Sequence, residues 1–228
     1  MSPLIGNKNR LSIINTKARS LGPKLESLID VMNEIDSRIA VITETWFQDG
    51  EKLENEKQDL KLGSSLAMIT KNRRPLNNGV AYGGVVVIWR DTSYDFKEFH
   101  VQGVSSFKIL ACATSVPGYT RKLVMIACYI PQSYNKKCGN EAMEAVADAV
   151  EEAKRRFKDP FVLVTGDFNQ WRVDEALDNF ADIGEVAVGN TRGNRSIDRV
   201  FCNMRRSVIE AGTLERLETE ETADQDAR

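Results

Sequence analysis

Apolar residues in this chain follow two rhythms. Apolar runs at Leu11–Ile14, Ile39–Ile42, Val85–Trp89, Leu123–Ile130 and Phe161–Val164 are rich in β-branched residues and bounded by Gly, Pro or polar clusters. That combination predicts strands, the most apolar of them buried on both faces. Weaker strand patterns occur at Leu66–Thr70, Phe96–Val101, Phe107–Ala113, Ile197–Phe201 and Val208–Ile209. Elsewhere the period is helical. From Pro23 onward Leu25, Leu28, Ile29, Met32 and Ile35 share one face, and Pro23 suits a first-turn position. Ala142, Met143, Val146, Ala149, Val150, Ala153 and Phe157 define a second long helix, and Val173, Ala176, Leu177 and Phe180 a short third. Residues 48–63 are polar and aperiodic, which predicts a surface excursion.

The order is strand, helix, strand, many strands, helix, strand, strands. Long meanders between few helices suit two packed sheets with helices outside better than one doubly wound sheet. Asn77, Asn78 and Gly79 with Gly83 and Gly84 match no nucleotide-loop spacing and predict a hairpin turn. There is no internal repeat. Residues 1–214 form the expected domain. Residues 215–228 hold six acids against two bases, a net of −4, and are expected to be a loop or frayed tail.

Composition narrows the class. The chain's 228 residues can bury a large single core, with hydrophobic content of 42% and charged content of 28% that are ordinary for a globular protein. No apolar run reaches the ~18 residues that a spanning helix needs. The N-terminus MSPLIGNKNR lacks the apolar core of a signal peptide, so the expected location is intracellular and not secreted. The four cysteines form no CxxC pair and are expected to be reduced and inert. Net charge is −2, yet removing the acidic end leaves +2 for residues 1–214. Basic clusters lie at Lys71, Arg73 and Arg74, at Lys154–Arg156, and at Arg192, Arg195 and Arg199. They permit a phosphate backbone without demanding one.

The chemistry with the most promise begins where the run Phe161–Val164 ends, in the sequence TGDFN. Gly166 permits a sharp turn or a close backbone approach, and Asp167 and Asn169 lie two residues apart. An ionised Asp accepts hydrogen bonds while an Asn amide both accepts and donates, so together they can deprotonate a water and steady an oxyanion. The same letters also spell an ordinary Asx turn after a strand. Asn15, Glu44, Tyr129 and Asp198 likewise fall at the mouths of predicted strands, where catalytic groups gather.

Taken in order, INTKARSL, VITETW, YGGVVVIW, CYIPQSY, VLVTGDFN and RSIDRVF resemble the endonuclease/exonuclease/phosphatase superfamily. Within it the wording looks most like the endonuclease domains of non-LTR retrotransposons, over about residues 11–203. The resemblance implies a four-layer α/β/β/α sandwich and Mg²⁺-dependent hydrolysis of a phosphodiester, with Mn²⁺ as a substitute. By position, it makes Glu44 a metal ligand and has Asn15 help hold that metal. Asp167 orients and deprotonates water, Asn169 and Tyr129 bond phosphate oxygens, and Asp198 supports the site. Trp46, beside Glu44, and Arg195 are expected to contact nucleic acid, and Trp171 is a further candidate for stacking. DNA is the implied partner, a nucleus the implied place of work, and nothing calls for a membrane or an oligomer.

Two departures qualify this. Lys17 stands where many family members carry an acid, though the retrotransposon branch often lacks that acid too. The family's closing Ser-Asp-His motif has no counterpart: the only histidine, His100, lies in the strand-like FKEFHV. A chain cut just before that motif would lack its final strand and be nearly inactive. Two other readings remain: a phosphatase or phosphodiesterase of the same fold acting on lipid or small-molecule phosphoesters, and a non-catalytic remnant that binds nucleic acid or protein.

Overall fold

β-branched runs satisfy their backbone polar groups by pairing with one another, and here they pair into two sheets. The computed structural model describes residues 11–46, 66–71, 83–90, 93–101, 108–186 and 198–204. In chain order they form β1 (Ile13–Lys17), α1 (Leu25–Glu34, entered through a 3-10 turn at Gly22–Lys24), β2 (Ile39–Thr43), β3 (Ala67–Lys71), β4 (Val85–Trp89), β5 (Lys97–Glu98) and β6 (Lys108–Ser115). There follow β7 (Lys122–Tyr129), α2 (Lys136–Arg156), β8 (Phe161–Asp167), α3 (Val173–Leu177), β9 (Gly184–Val186) and β10 (Asp198–Cys202). One sheet has the order β1-β2-β4-β3, the other β5-β6-β7-β8-β10-β9.

Period-two alternation along these strands builds three apolar layers. Ile39, Val41, Val85 and Val87 of the first sheet meet Leu110, Leu123, Met125 and Leu163 of the second, forming the middle layer. The alternate residues Ile14, Ala40, Ile42, Val86 and Ile88 pack under Leu25, Leu28 and Met32 of α1. On the far side Val124, Ile126, Val162 and Val164 pack under Ala142, Val146, Ala149, Val150 and Ala153 of α2. The protein is therefore a four-layer α/β/β/α sandwich. No helix among the described residues is long and apolar enough to cross a membrane.

Strand direction then assembles one polar edge. β1 runs parallel to β2, and β7 parallel to β8, so Lys17, Thr43, Tyr129 and Asp167 all arrive at C-terminal strand ends. β10 runs antiparallel to β8 and starts with Asp198 opposite Asp167.

Several boundaries differ from the sequence reading. β1 does not end at Asn15 but continues to Lys17, because parallel pairing with β2 carries it onward. β8 likewise runs through Gly166 to Asp167, so TGD is strand and not turn. β5 is only Lys97–Glu98, and β9 was not foreseen, being three residues with no apolar pattern. α2 starts at Lys136, before its apolar period, because the Asn135 side chain caps it by accepting the Cys138 N–H at 2.9 Å. Both long periodic series end on a C-cap residue, Ile35 and Phe157. Cys112, Cys128 and Cys202 are buried free thiols, whereas Cys138 is half-buried. The excursion at 48–63, the Asn-Asn-Gly turn, Val208–Ile209 and the acidic end lie outside the described residues.

Arg199 locks β10 in place. Its Nε and Nη2 donate to Glu185 of β9 at 2.7 and 2.9 Å, and its Nη1 donates to Asp174 of α3 at 2.9 Å. Partial burial pushes the Asp174 carboxyl up, but hydrogen bonds from Arg172 and Arg199 outweigh it and hold the carboxyl at about 2. A depressed carboxylate contributes stability above its unfolded value of 3.8 and loses it as pH falls through the folded value. Asp174→Asn is therefore expected to lower the thermal midpoint at pH 6, with the gap to the parent closing as pH falls from 3.8 toward about 2. Melts across that range measure it.

Candidate active site

Five strand ends supply the polar edge, and a single ammonium group sits at its centre. Lys17 follows Asn15 by two residues on β1, so both side chains leave the same face of the strand, toward the middle layer. Its Nζ donates to Asp167 Oδ2 at 2.8 Å and lies 2.9 Å from Glu44 Oε1. The Tyr129 hydroxyl donates to the same Glu44 oxygen at 3.0 Å. Lys17 and Glu44 belong to the first sheet, Tyr129 and Asp167 to the second, so these bonds tie the two sheets together at the mouth.

Asp167 is held from behind. The Asn169 backbone N–H donates to Asp167 Oδ1 at 3.0 Å, and the Asn169 side-chain amide donates to the Ile130 carbonyl at 2.9 Å. The Ile130 N–H in turn donates to the Asp167 carbonyl at 3.0 Å, which clamps the end of β7 to that of β8. Asp198 leaves the same face of the sheet as Asp167, its register partner, and its Oδ1 is buried.

Gly166 makes this approach possible. Its φ is +142°, and a Cβ there would lie 1.9 Å from the Cys128 carbonyl oxygen on β7, so no larger residue fits. Non-glycine residues with left-handed backbone gather at the edge, among them Glu44 at φ +52°, Trp46 at +53° and Asn169 at +50°. Each such conformation costs roughly 1 kcal/mol or more, and a cluster of them where carboxylates converge marks a site held in place by its surroundings.

Burial decides the electrostatics. The Asp167 side chain is fully buried, while Lys17 and Glu44 retain 19% and 14% exposure. Burial pushes the Asp167 carboxyl up against the pull of the Lys17 ammonium. Burial lowers Lys17 as well, but its bonds to Asp167 and Glu44 more than offset this and hold it above its usual value. Nζ is thus an ammonium at neutral pH.

Sequence reasoning set Lys17 aside and so missed the residue that bridges the two acids. The usable signal was its spacing: strand alternation puts Lys17 on the side of Asn15 once β1 is extended. Trp46 is half-buried, with its backbone N–H donating to the Gly83 carbonyl at 2.9 Å. Trp171 is half-buried and packs its ring over Gly139, with its Nε1 donating to the Pro131 carbonyl at 3.2 Å. Arg195 lies outside the described residues. His100 is exposed just past β5 and neighbours Glu152 of α2, across the second sheet from the edge.

The donor set suits a hard divalent cation in kind. Glu44 and Asn15 offer oxygens, and Asn15 Oδ1 is buried without a hydrogen-bond partner among the described residues. No group of three or more His, Cys, Asp or Glu side chains is arranged to hold a metal among those residues. Lys17 supplies the positive charge in this arrangement.

Removing one member of a buried ion pair leaves its partner's charge uncompensated, at a cost of about 3–5 kcal/mol. Lys17→Met is accordingly expected to destabilise the fold by roughly that amount, and Asp167→Asn introduced alongside it should recover most of the loss. Urea unfolding of the two single variants and the double variant gives the coupling. Additive losses would show that the pair is not formed.

Known structures share this architecture. The endonuclease domain of TRAS1, a telomere-specific non-LTR retrotransposon, superimposes with a TM-score of 0.56 at 11% identity over 84% of each chain. The 3′ phosphatase NExo from Neisseria, bound to a product DNA hairpin, gives 0.59 at 14% identity over 85% of this chain and 86% of its own. A mannosyl-6-phosphatase from Bacteroides thetaiotaomicron gives 0.61 at 13% over 85% of each. Identities this low speak for the fold alone. Sequence comparison with curated proteins returns no match. The model of the endonuclease/exonuclease/phosphatase family, by contrast, matches residues 7–215. With that span of sequence and this four-layer fold, the chain belongs to the endonuclease/exonuclease/phosphatase family.

Proposed function

We propose that the chain hydrolyses phosphodiester bonds of DNA, as an endonuclease of the non-LTR retrotransposon kind. The observation that carries this reading is the convergence of Glu44, Tyr129, Asp167 and Asn169 on one strand edge, two acids with a hydroxyl and an amide between two sheets. Phosphoryl transfer needs little covalent help from a protein; it needs a positioned water and donors for developing charge on oxygen. The DNA substrate is favoured by the ordered retrotransposon-type motifs and by a nuclease and a DNA-bound enzyme among the structural neighbours.

Asp167 acts as the base. Its Oδ1 is fixed by the Asn169 N–H, leaving Oδ2, now on Lys17, as the oxygen that takes a proton from water. The Asn169 amide spends one N–H on Ile130 and has a second to donate to a phosphate oxygen. The Tyr129 hydroxyl transfers its donation from Glu44 to another phosphate oxygen. Asp198, beside Asp167 on the same face, adds negative potential that favours a charged partner on Asp167. A divalent cation, magnesium or manganese, would be held by Glu44 and Asn15 and would neutralise charge on the phosphate.

No imidazole serves this edge, since the single histidine is His100, and hydrolysis by residues 1–228 is therefore slow. Supercoiled plasmid with Mg²⁺ or Mn²⁺ tests the proposal. Slow nicking is expected, reduced a further ~10²-fold or more by Asp167→Ala. Nicking that survives Asp167→Ala, or faster turnover of a sugar phosphate than of plasmid, would contradict it.

A further inference from the structure

Lys17 is bound where a catalytic cation would compete with it. The Glu44 Oε1 atom already faces two donors, the Lys17 ammonium at 2.9 Å and the Tyr129 hydroxyl at 3.0 Å. A divalent ion ligates a carboxylate oxygen at about 2.1 Å, which would bring it against the ammonium, and like charges so close in a half-buried site repel strongly. The two cations are alternatives. Lys17 is also an incomplete occupant: it satisfies Glu44 and Asp167 but leaves the buried Asn15 Oδ1, two residues away on the same strand face, without a partner among the described residues. The buried hydroxyls of Thr43 and Thr165, which strand alternation directs into the same interlayer, are in the same condition. Three buried oxygens directed into one interlayer, none of them hydrogen-bonded among the described residues, are what a second, acceptor-seeking occupant would use. Lys17 can yield, because its side chain keeps a path to solvent and a flexible four-carbon stem.

We propose that Lys17 is a tethered competitor for the divalent cation, so that ammonium and metal are alternative occupants of Glu44 and this side chain sets the metal affinity of the site. Lys17 is thereby a positioning residue and not a catalytic one. With Lys17 seated, one ammonium is shared by both carboxylates and Asp167 Oδ2 is covered; a metal that displaces it frees Asp167 for water in the same movement. The inference rests on the proposed function only in taking Glu44 and Asn15 as the cation's donors.

Mn²⁺ binding to the full 228-residue chain, without nucleic acid, measures this by calorimetry or by the loss of the free-ion electron spin resonance signal. Lys17→Met, close in shape and uncharged, is expected to bind Mn²⁺ about tenfold or more tightly than the parent. Lys17→Arg should not gain, and adding Glu44→Gln to Lys17→Met should abolish the gain. If Lys17→Met fails to fold by circular dichroism, Lys17→Met with Asp167→Asn removes the stranded buried charge and should show the same tightening over Asp167→Asn alone. Mn²⁺ affinity unchanged or weakened on loss of Lys17, in whichever folded pair is measured, overturns the inference. Tightened Mn²⁺ binding without plasmid nicking would sink the endonuclease reading and leave the competition intact. Nicking without tightening would do the reverse.

Discussion

One ammonium group joins the two sheets at the working edge. The middle layer supplies adhesion: burying each Val, Leu or Ile side chain contributes roughly 1.5–3 kcal/mol, and many residues share that layer. A buried ion pair adds little net stability by comparison, because desolvation of both charges offsets most of the attraction. What the Lys17 bridge provides is placement. Apolar layers can slide by a fraction of an ångström, whereas an ammonium 2.8 Å from Asp167 and 2.9 Å from Glu44 fixes the distance between acids on different sheets.

From that constraint the local distortions make sense. Glu44 follows β2 in a left-handed conformation with its carboxylate on Lys17 and Tyr129, and Asn169, two residues past the end of β8, is also left-handed with its amide on the Ile130 carbonyl. Gly166 lets β8 press against the Cys128 carbonyl so that Asp167 arrives level with Tyr129, its register partner. Glycine thus fixes where one acid stands, and strained backbone at the ends of β2 and β8 fixes how its neighbours face it. Arg199, on the opposite face of β10 from Asp198, anchors that strand to β9 and α3 and so keeps Asp198 beside Asp167.

Layering was legible in the sequence because apolar runs and helical periods are dictated by burial. Both long helices, the central strands and the two-sheet arrangement follow from residues such as Ile39–Ile42 and Ala142–Ala153. Strand ends were less legible. Asn15, Lys17 and Asp167 are polar and look like turns, yet pairing with a neighbouring strand carries the ladder through them. β9 escaped because three residues paired only to β10 leave no hydrophobic pattern. The residue types of the site were readable, but Lys17 was not: no acid lies near it in the sequence, and only the fold reveals that it lies between two of them.

A crystal of the protein soaked with Mn²⁺ and measured at the manganese absorption edge tests the shared site most directly. The account predicts one anomalous peak beside Glu44 and Asn15, with the Lys17 side chain turned off Glu44 toward solvent. A peak elsewhere, or Glu44 and Asp167 found on separate walls with Lys17 bridging neither, would contradict it.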